Sequence, residues 1–294
     1  EGCLAVRYRE VDSNGEISGG PMYYIEKGLG EKWKPLAILF AVFDVLTACL
    51  GSGTYTQANA IMSSLEVSFG IAPLMTDVVL TILVGIIILG GLQSIAKAAE
   101  KIVPAMAVVY IVAVISLLII NREQLPMAIE LVFVNAFTPT AAMGGFLGAS
   151  VMKGIQSGIA RGIFSNESGL GSAPIVAAAA KTKWPAEQGL ISMTGTFIDT
   201  IIICTMTGLA VISSGLWTTE LNGTVLTNGA FSQAFPLFGD YLITIALVLF
   251  AFTTILGWSY YGERCAVYLF GTKVIKPYRL VFIAIIATAV FLKL

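Results

Sequence analysis

Long apolar runs separated by short polar links dominate this 294-residue chain. Positions 78–96 and 102–121 carry no charged side chain at all. Each run approaches the ~20 residues that cross a bilayer as an α-helix. Open strands are excluded for such runs, because backbone groups in lipid must be satisfied within the segment itself. The pattern predicts helices over 35–60, 73–95, 102–120, 189–214 and 241–270, and the start of another over 280–294. A further helix is predicted over 142–180, broken along its length. A polar connector over 1–34 precedes the first helix and holds 11 of the 35 charged residues.

Composition agrees with the pattern. Charged residues make up 12% of the chain and apolar residues 56%, against about 25% and 45–50% in ordinary soluble domains. The reading is an all-α polytopic membrane protein, a single transmembrane domain over 1–294 in contact with the lipid bilayer. A net charge of −1 without a basic block excludes nucleic acid as the main partner, since phosphate binding needs clustered cations. No histidine is present, which removes the usual neutral-pH proton carrier. Cys3, Cys49, Cys204 and Cys265 lie far apart, a spacing that suggests neither a zinc site nor a disulfide framework. With no close carboxylate pair either, an enzyme is not expected, and neither is a catalytic cofactor. The chain begins at Glu1 and stops inside an apolar run, so a piece of a longer protein is expected.

Basic residues orient the spans, because Lys and Arg collect in cytoplasmic loops. The connector holds Arg7, Arg9, Lys27, Lys32 and Lys34, and the loop over 62–75 holds none. Lys97 and Lys101 follow, then only Arg122, then Lys181 and Lys183. Loop 215–240 has none, and the last link carries Arg264, Lys273, Lys276 and Arg279. Rich and poor loops alternate, which places the chain start inside and 215–240 outside.

One segment breaks the pattern. Positions 144–171 contain eight glycines together with Lys153, Arg161 and Glu167. Glycine costs a helix roughly 1 kcal/mol relative to alanine, and intramembrane charge costs more. Discontinuous helices in transporters carry such a load, because unwound backbone lends carbonyls and helix ends to a midplane site. Close packing through Gly154 and Gly158 is the competing explanation, but it does not account for the polar run Ser165-Asn166-Glu167. Part of 158–166 is therefore expected to be non-helical. Gln57 and Asn59 add two amides to the first span. Thr253 and Thr254 add adjacent hydroxyls to the sixth, suited to a weakly held monovalent cation, although such hydroxyls also bond back to their own helix. Asp44 and Asp199 are read as the carboxylates well inside apolar spans. Asp199 either binds a cation or accepts hydrogen bonds from neighbouring helix ends.

The strings RGIFSNESGLGSAPIVAAAAKT, SMTGTFIDTIIICTMTGL and GGPMYYIEKGLG resemble the alanine/glycine–cation symporters, the amino acid carrier proteins of the amino acid–polyamine–organocation superfamily. The resemblance covers essentially the whole chain. It implies a leucine-transporter-like fold of two inverted five-helix repeats, here without the first two helices and the C-terminal helices, and with 35–60 as helix three, 73–95 as helix four, 102–120 as helix five, 142–180 as the broken helix six, 189–214 as helix seven and 241–270 as helix eight. It also implies sodium-coupled uptake of alanine or glycine in a prokaryotic cell membrane by a monomer. Under the same resemblance, Gln57, Asn59, Gly158, Phe164, Ser165, Asn166 and Trp258 contribute to the substrate site and Thr253 and Thr254 to the sodium site. Arg161 and Glu167 flank the break, where they are expected to pair. The alternatives are a proton-coupled carrier of the same fold using Asp199, and, from a different class, an ion channel with the glycine-rich segment as filter.

Overall fold

The computed structural model describes residues 1–51, 53–137, 145–167, 169–219, 221 and 223–292; the side chains of 135–137, 145–151, 153, 157, 161 and 164 lie outside that description. The chain opens with the short helix α1 (Gly2–Arg7) and a hairpin of β1 (Glu10–Val11) and β2 (Ile17–Ser18), paired antiparallel with Glu10 opposite Ser18. Helices α2 (Pro21–Leu29), α3 (Lys34–Leu50), α4 (Tyr55–Phe69), α5 (Pro73–Leu89), α6 (Gly91–Ile120) and α7 (Leu125–Phe137) follow. Next come α8 (Gly145–Asn166), α9 (Ala173–Ala177), α10 (Pro185–Thr196), a π-helical stretch over Phe197–Cys204, and α11 (Thr205–Ser213). Then α12 (Gly223–Ala234), α13 (Gly239–Phe270) and α14 (Ile275–Ile286) complete the series, with a 3-10 turn at Ala289–Phe291. Two compact units emerge: residues 1–109, 171–192 and 241–294 in the first, 110–170 and 193–240 in the second.

Among the described residues, Glu31–Phe69, Gly91–Ile120, Pro185–Ser213, Gly239–Phe270 and Thr272–Phe291 are long and apolar enough to cross a bilayer, and Pro73–Leu89 and Leu125–Val134 are shorter apolar helices. Large apolar side chains such as Leu83, Ile86 and Leu89 are exposed on α5, which an aqueous surface would not tolerate in such density. This is an all-α polytopic membrane protein, apart from the small hairpin.

Local chemistry explains the boundaries. Proline stands in the first turn of α2, α3 and α5, where its missing N–H costs nothing. Helix α4 ends at Gly70 in the left-handed region (φ 66°), whose N–H returns to the Glu66 carbonyl at 3.0 Å. That conformation is cheap only for glycine. Helix α6 tolerates Pro104 in its interior, as membrane helices do when neighbours satisfy the freed groups.

Within the first unit, small residues allow close approach. Ala37, Ala41 and Ala48 of α3 are fully buried, the type of interface that membrane helices use in the absence of a hydrophobic drive. Around Ala48 pack Ile61 of α4, Leu80, Val84 and Ile88 of α5, Ile255 and Leu256 of α13, and Phe282 and Ile286 of α14, whereas Ala37 and Ala41 pack with Met22 and Tyr23 of α2, Ile175 of α9 and Tyr260 of α13. Arg9 grips the end of α9 by donating to the carbonyls of Ala178 (3.0 Å), Ala180 (2.7 Å) and Thr182 (3.2 Å). In the second unit α11 packs against α7 and α12, and the Tyr110 hydroxyl meets that of Thr207 at 2.6 Å.

Several expected boundaries differ. The helix predicted over 35–60 is two helices with a break at 51–54, and the second runs on to Phe69 through residues read as loop. The 73–95 helix stops at Leu89. Helices α7 and α12 lie in stretches that hydropathy left as links. Segment 158–166 is helical throughout as part of α8. The break comes after it, where Glu167 (φ 56°), Gly169 (φ 90°) and Gly171 (φ 88°) leave the right-handed region.

Candidate functional site

The expected site residues divide between the two units. In the first, the break between α3 and α4 sits on α13. Thr54, fully buried, donates its hydroxyl to the Ala48 carbonyl across the break, so a last-turn acceptor of α3 is satisfied from the far side. Trp258 of α13 is buried against this bend, and a Cβ on Gly53 would lie 2.7 Å from its ring. Its ring also meets Tyr261 edge-on, with centroids 5.6 Å apart. Trp258 thus braces the break. Gln57 is half-buried and engaged, whereas Asn59 donates its amide to the Leu292 carbonyl at 2.9 Å.

Thr253 and Thr254 are half-buried on α13 and both bond back to their own helix. Thr253 donates to Leu249 (3.1 Å) and Phe250 (3.0 Å), and Thr254 to Phe250 (2.9 Å). Back-bonding uses the hydroxyl proton and leaves the oxygen lone pairs as acceptors, so it does not remove either as an oxygen ligand.

In the second unit the end of α8 lies on the π-helical stretch. Ser165 donates to Asp199 Oδ2 at 3.0 Å and approaches the Cys204 sulfur at 3.3 Å, and the Asn166 amide donates to Thr200 Oγ1 at 2.9 Å. Asp199 is therefore an acceptor for the end of a neighbouring helix. π-Helical insertions are rare and cluster at functional sites, and this one displays Asp199 and Thr200 on one side. Gly158 has open space where a Cβ would stand, as do Gly154 and Gly162. The side chains of Phe164 and Arg161 lie outside the described residues, and with them the expected Arg161–Glu167 pair.

Sequence reasoning missed two features of the first unit. Arg264, counted there as a loop charge, is fully buried within α13. Its guanidinium bridges Glu16 (2.6 Å), Glu263 (2.7 Å) and Asp12 (3.3 Å), while Arg279 holds Glu263 from the other side at 2.5 Å. The guanidinium also lies 5.4 Å from the Tyr260 ring centroid. Adjacent Glu263-Arg264 next to an apolar run was the available signal. Nearby, outside the spans, Lys34 and then Tyr268 hold the Glu26 carboxyl below its ordinary value by hydrogen bonding to its charged form. The second missed feature is Asp77, only 2% exposed on α5. Asp44 and Asp199 are thus not the only carboxylates set into apolar spans; Asp77 escaped because it stands close to the start of its helix.

Comparison with known proteins places this arrangement. The model of the sodium:alanine symporter family matches residues 1–294. An uncharacterized transporter of Haemophilus influenzae is 54% identical over 296 residues, covering 100% of this chain and 64% of its own length. The sodium/alanine symporter AgcS of Methanococcus maripaludis is 47% identical over 291 residues, covering 97% and 63%. The probable sodium/glutamine symporter GlnT of Bacillus subtilis is 39% identical over 288 residues, covering 97% and 59%. The chain therefore spans about three-fifths of the length of the relatives it matches. With the family model matching the whole chain and these relatives matching almost all of it, the chain belongs to the sodium:alanine symporter family.

Proposed function

We propose that the whole protein is a secondary active symporter that couples sodium influx to the uptake of a small neutral amino acid, alanine or glycine, by alternating access in a prokaryotic cell membrane. Family membership over the full chain carries this reading. The fold proposed is the leucine-transporter type of two inverted five-helix repeats, working as a monomer. In that scheme Lys34–Phe69 is helix three, the path through α8 and α9 is the broken helix six, and α13 is helix eight.

The chemistry of the ligand supports the assignment. An amino acid zwitterion brings two charges, and burying them unpaired is prohibitive. Unwound backbone answers this by presenting free N–H and carbonyl groups together with the ends of helix dipoles. The backbone leaves the right-handed region at Glu167, Gly169 and Gly171, next to Ser165 and Asn166, which with Gln57, Asn59, Gly158 and Phe164 form the proposed substrate set. Trp258, which braces the bend at Gly53, belongs to the same proposed set. Thr253 and Thr254 offer hydroxyl oxygens to sodium.

Sodium dependence of alanine uptake in the full-length protein tests the reading, with Thr253→Val and Thr254→Val compared separately. Loss of one ligand should raise the sodium requirement about tenfold for each ~1.4 kcal/mol removed. If both variants keep wild-type sodium dependence while Asp199→Asn abolishes coupling, proton coupling through Asp199 replaces it.

A further inference from the structure

Several hydroxyls inside the spans of this protein bond to the preceding turn of their own helix. Ser116 donates to Val112 (2.8 Å), Thr207 to Ile203 (2.7 Å) and Ser259 to Leu256 (2.7 Å), as Thr253 and Thr254 do. Thr81 of α5 does not: like the hydroxyls of Thr76 and Ser64, its Oγ1 is inaccessible and has no hydrogen-bond partner among the described residues. One turn before it stands Asp77, also with an orphaned, inaccessible oxygen, Oδ1. Residues four apart share one face of a helix, so the two oxygens belong to one patch. They do not bond each other, so both are left unpartnered among the described residues.

The patch abuts the 3-10 turn at Ala289–Phe291. The Val290 amide hydrogen-bonds the Asp77 carboxylate. The turn is also held by α4, where the Tyr55 hydroxyl meets Thr288 at 3.0 Å and Asn59 donates to the Leu292 carbonyl at 2.9 Å. Among the described residues the carbonyls of Val290 and Phe291 accept no backbone hydrogen bond. No salt bridge to Asp77 exists among the described residues either, so its charge lacks a basic partner. A carboxylate buried within a span is expensive without a counter-charge.

We propose that Asp77 and Thr81, against the turn at 288–292, form a site for a small monovalent cation of the sodium class, separate from Thr253 and Thr254. One carboxylate neutralises one positive charge. The remaining donors, a hydroxyl and carbonyls, are hard oxygens that replace part of a water shell without trapping the ion. A divalent ion would retain uncompensated charge in apolar surroundings and takes more carboxylate. Asp77 lies one turn inside α5 and Thr81 one turn deeper, at ~1.5 Å per residue. On the topology argued above, that end of α5 faces outward, so the ion enters from the outside.

The test is equilibrium binding of radioactive sodium to the purified full-length protein in detergent, which does not depend on transport. Asp77→Asn should bind one sodium fewer per protein than wild type, and Thr81→Val should weaken that sodium about tenfold while Thr81→Ser keeps it. A Thr253→Val/Thr254→Val double variant should retain it, which separates this proposal from the symport reading. Unchanged sodium stoichiometry and affinity in Asp77→Asn overturns the site. So does an infrared carboxylic-acid band that disappears in Asp77→Asn, because Asp77 would then be neutralised by a proton. If Asp77→Asn elutes aggregated on gel filtration, Thr81→Val decides alone, and wild-type affinity in that variant overturns the proposal.

Discussion

Arg264 shows what a single buried charge requires. Its side chain is fully buried, yet three carboxylates reach it, and Arg279 compensates the one that it shares. Removing one member of a buried ionic network strands the others, at a cost of ~3–5 kcal/mol. The Glu16 side chain retains about a third of its exposure, so water recovers part of that loss and the lower end applies. Arg264→Gln is therefore expected to destabilise the protein by about 3 kcal/mol, read as a lowered apparent Tm of the detergent-solubilised protein. Arg264→Lys should recover only part of it, because an ammonium cannot span partners that the planar fork of arginine reaches at two nitrogens. An unchanged Tm in Arg264→Gln would show that the network contributes nothing net.

At the scale of elements, the break between α3 and α4 rests on one missing side chain. Gly53 lets the bend close on Trp258, where a Cβ would stand 2.7 Å from the ring. Gly53→Ala should cost ~1–3 kcal/mol, the usual range for overpacking, and Trp258→Leu in the same protein should return part of the lost Tm. Equal Tm for Gly53→Ala and wild type would mean that the bend does not depend on this contact. The break after α8 teaches a related lesson. Glycine density in 144–171 marked an irregular segment correctly, but placed it about one turn too early. Gly154, Gly158 and Gly162 sit in continuous helix, whereas the chain unwinds where Gly171 packs beneath the Phe40 ring, 2.7 Å from a would-be Cβ. Phe40 is 131 positions away in sequence, beyond the reach of any local pattern.

For the molecule as a whole, orientation follows from the alternation of basic and non-basic links. Leu237 is 89% exposed at the end of the stretch proposed to be external, and Lys97 is exposed on α6. In a background with Cys3 and Cys204 replaced by serine, whole cells carrying Leu237→Cys should be labelled by an impermeant maleimide. Cells carrying Lys97→Cys should be labelled only after permeabilisation. The reverse pattern would invert the topology. Arg264 warns that not every basic residue votes in this scheme, because a buried and neutralised arginine carries no information about the cytoplasmic side.

Membrane residence was legible in the sequence, because lipid imposes its thickness on every span independently of what the span packs against. The likeness to the symporter family was equally legible, carried by strings such as the one around Ser165-Asn166-Glu167. The partners of the polar residues were not. Asn59 bonds a carbonyl 233 positions away, Arg264 collects acids from the hairpin near the chain start, and Asp77 meets the backbone of a turn near the other end. An intramembrane polar group must be satisfied by whichever neighbour the fold brings to it. Local composition records only the need, and tertiary structure alone decides whether an oxygen is paired or left without a partner.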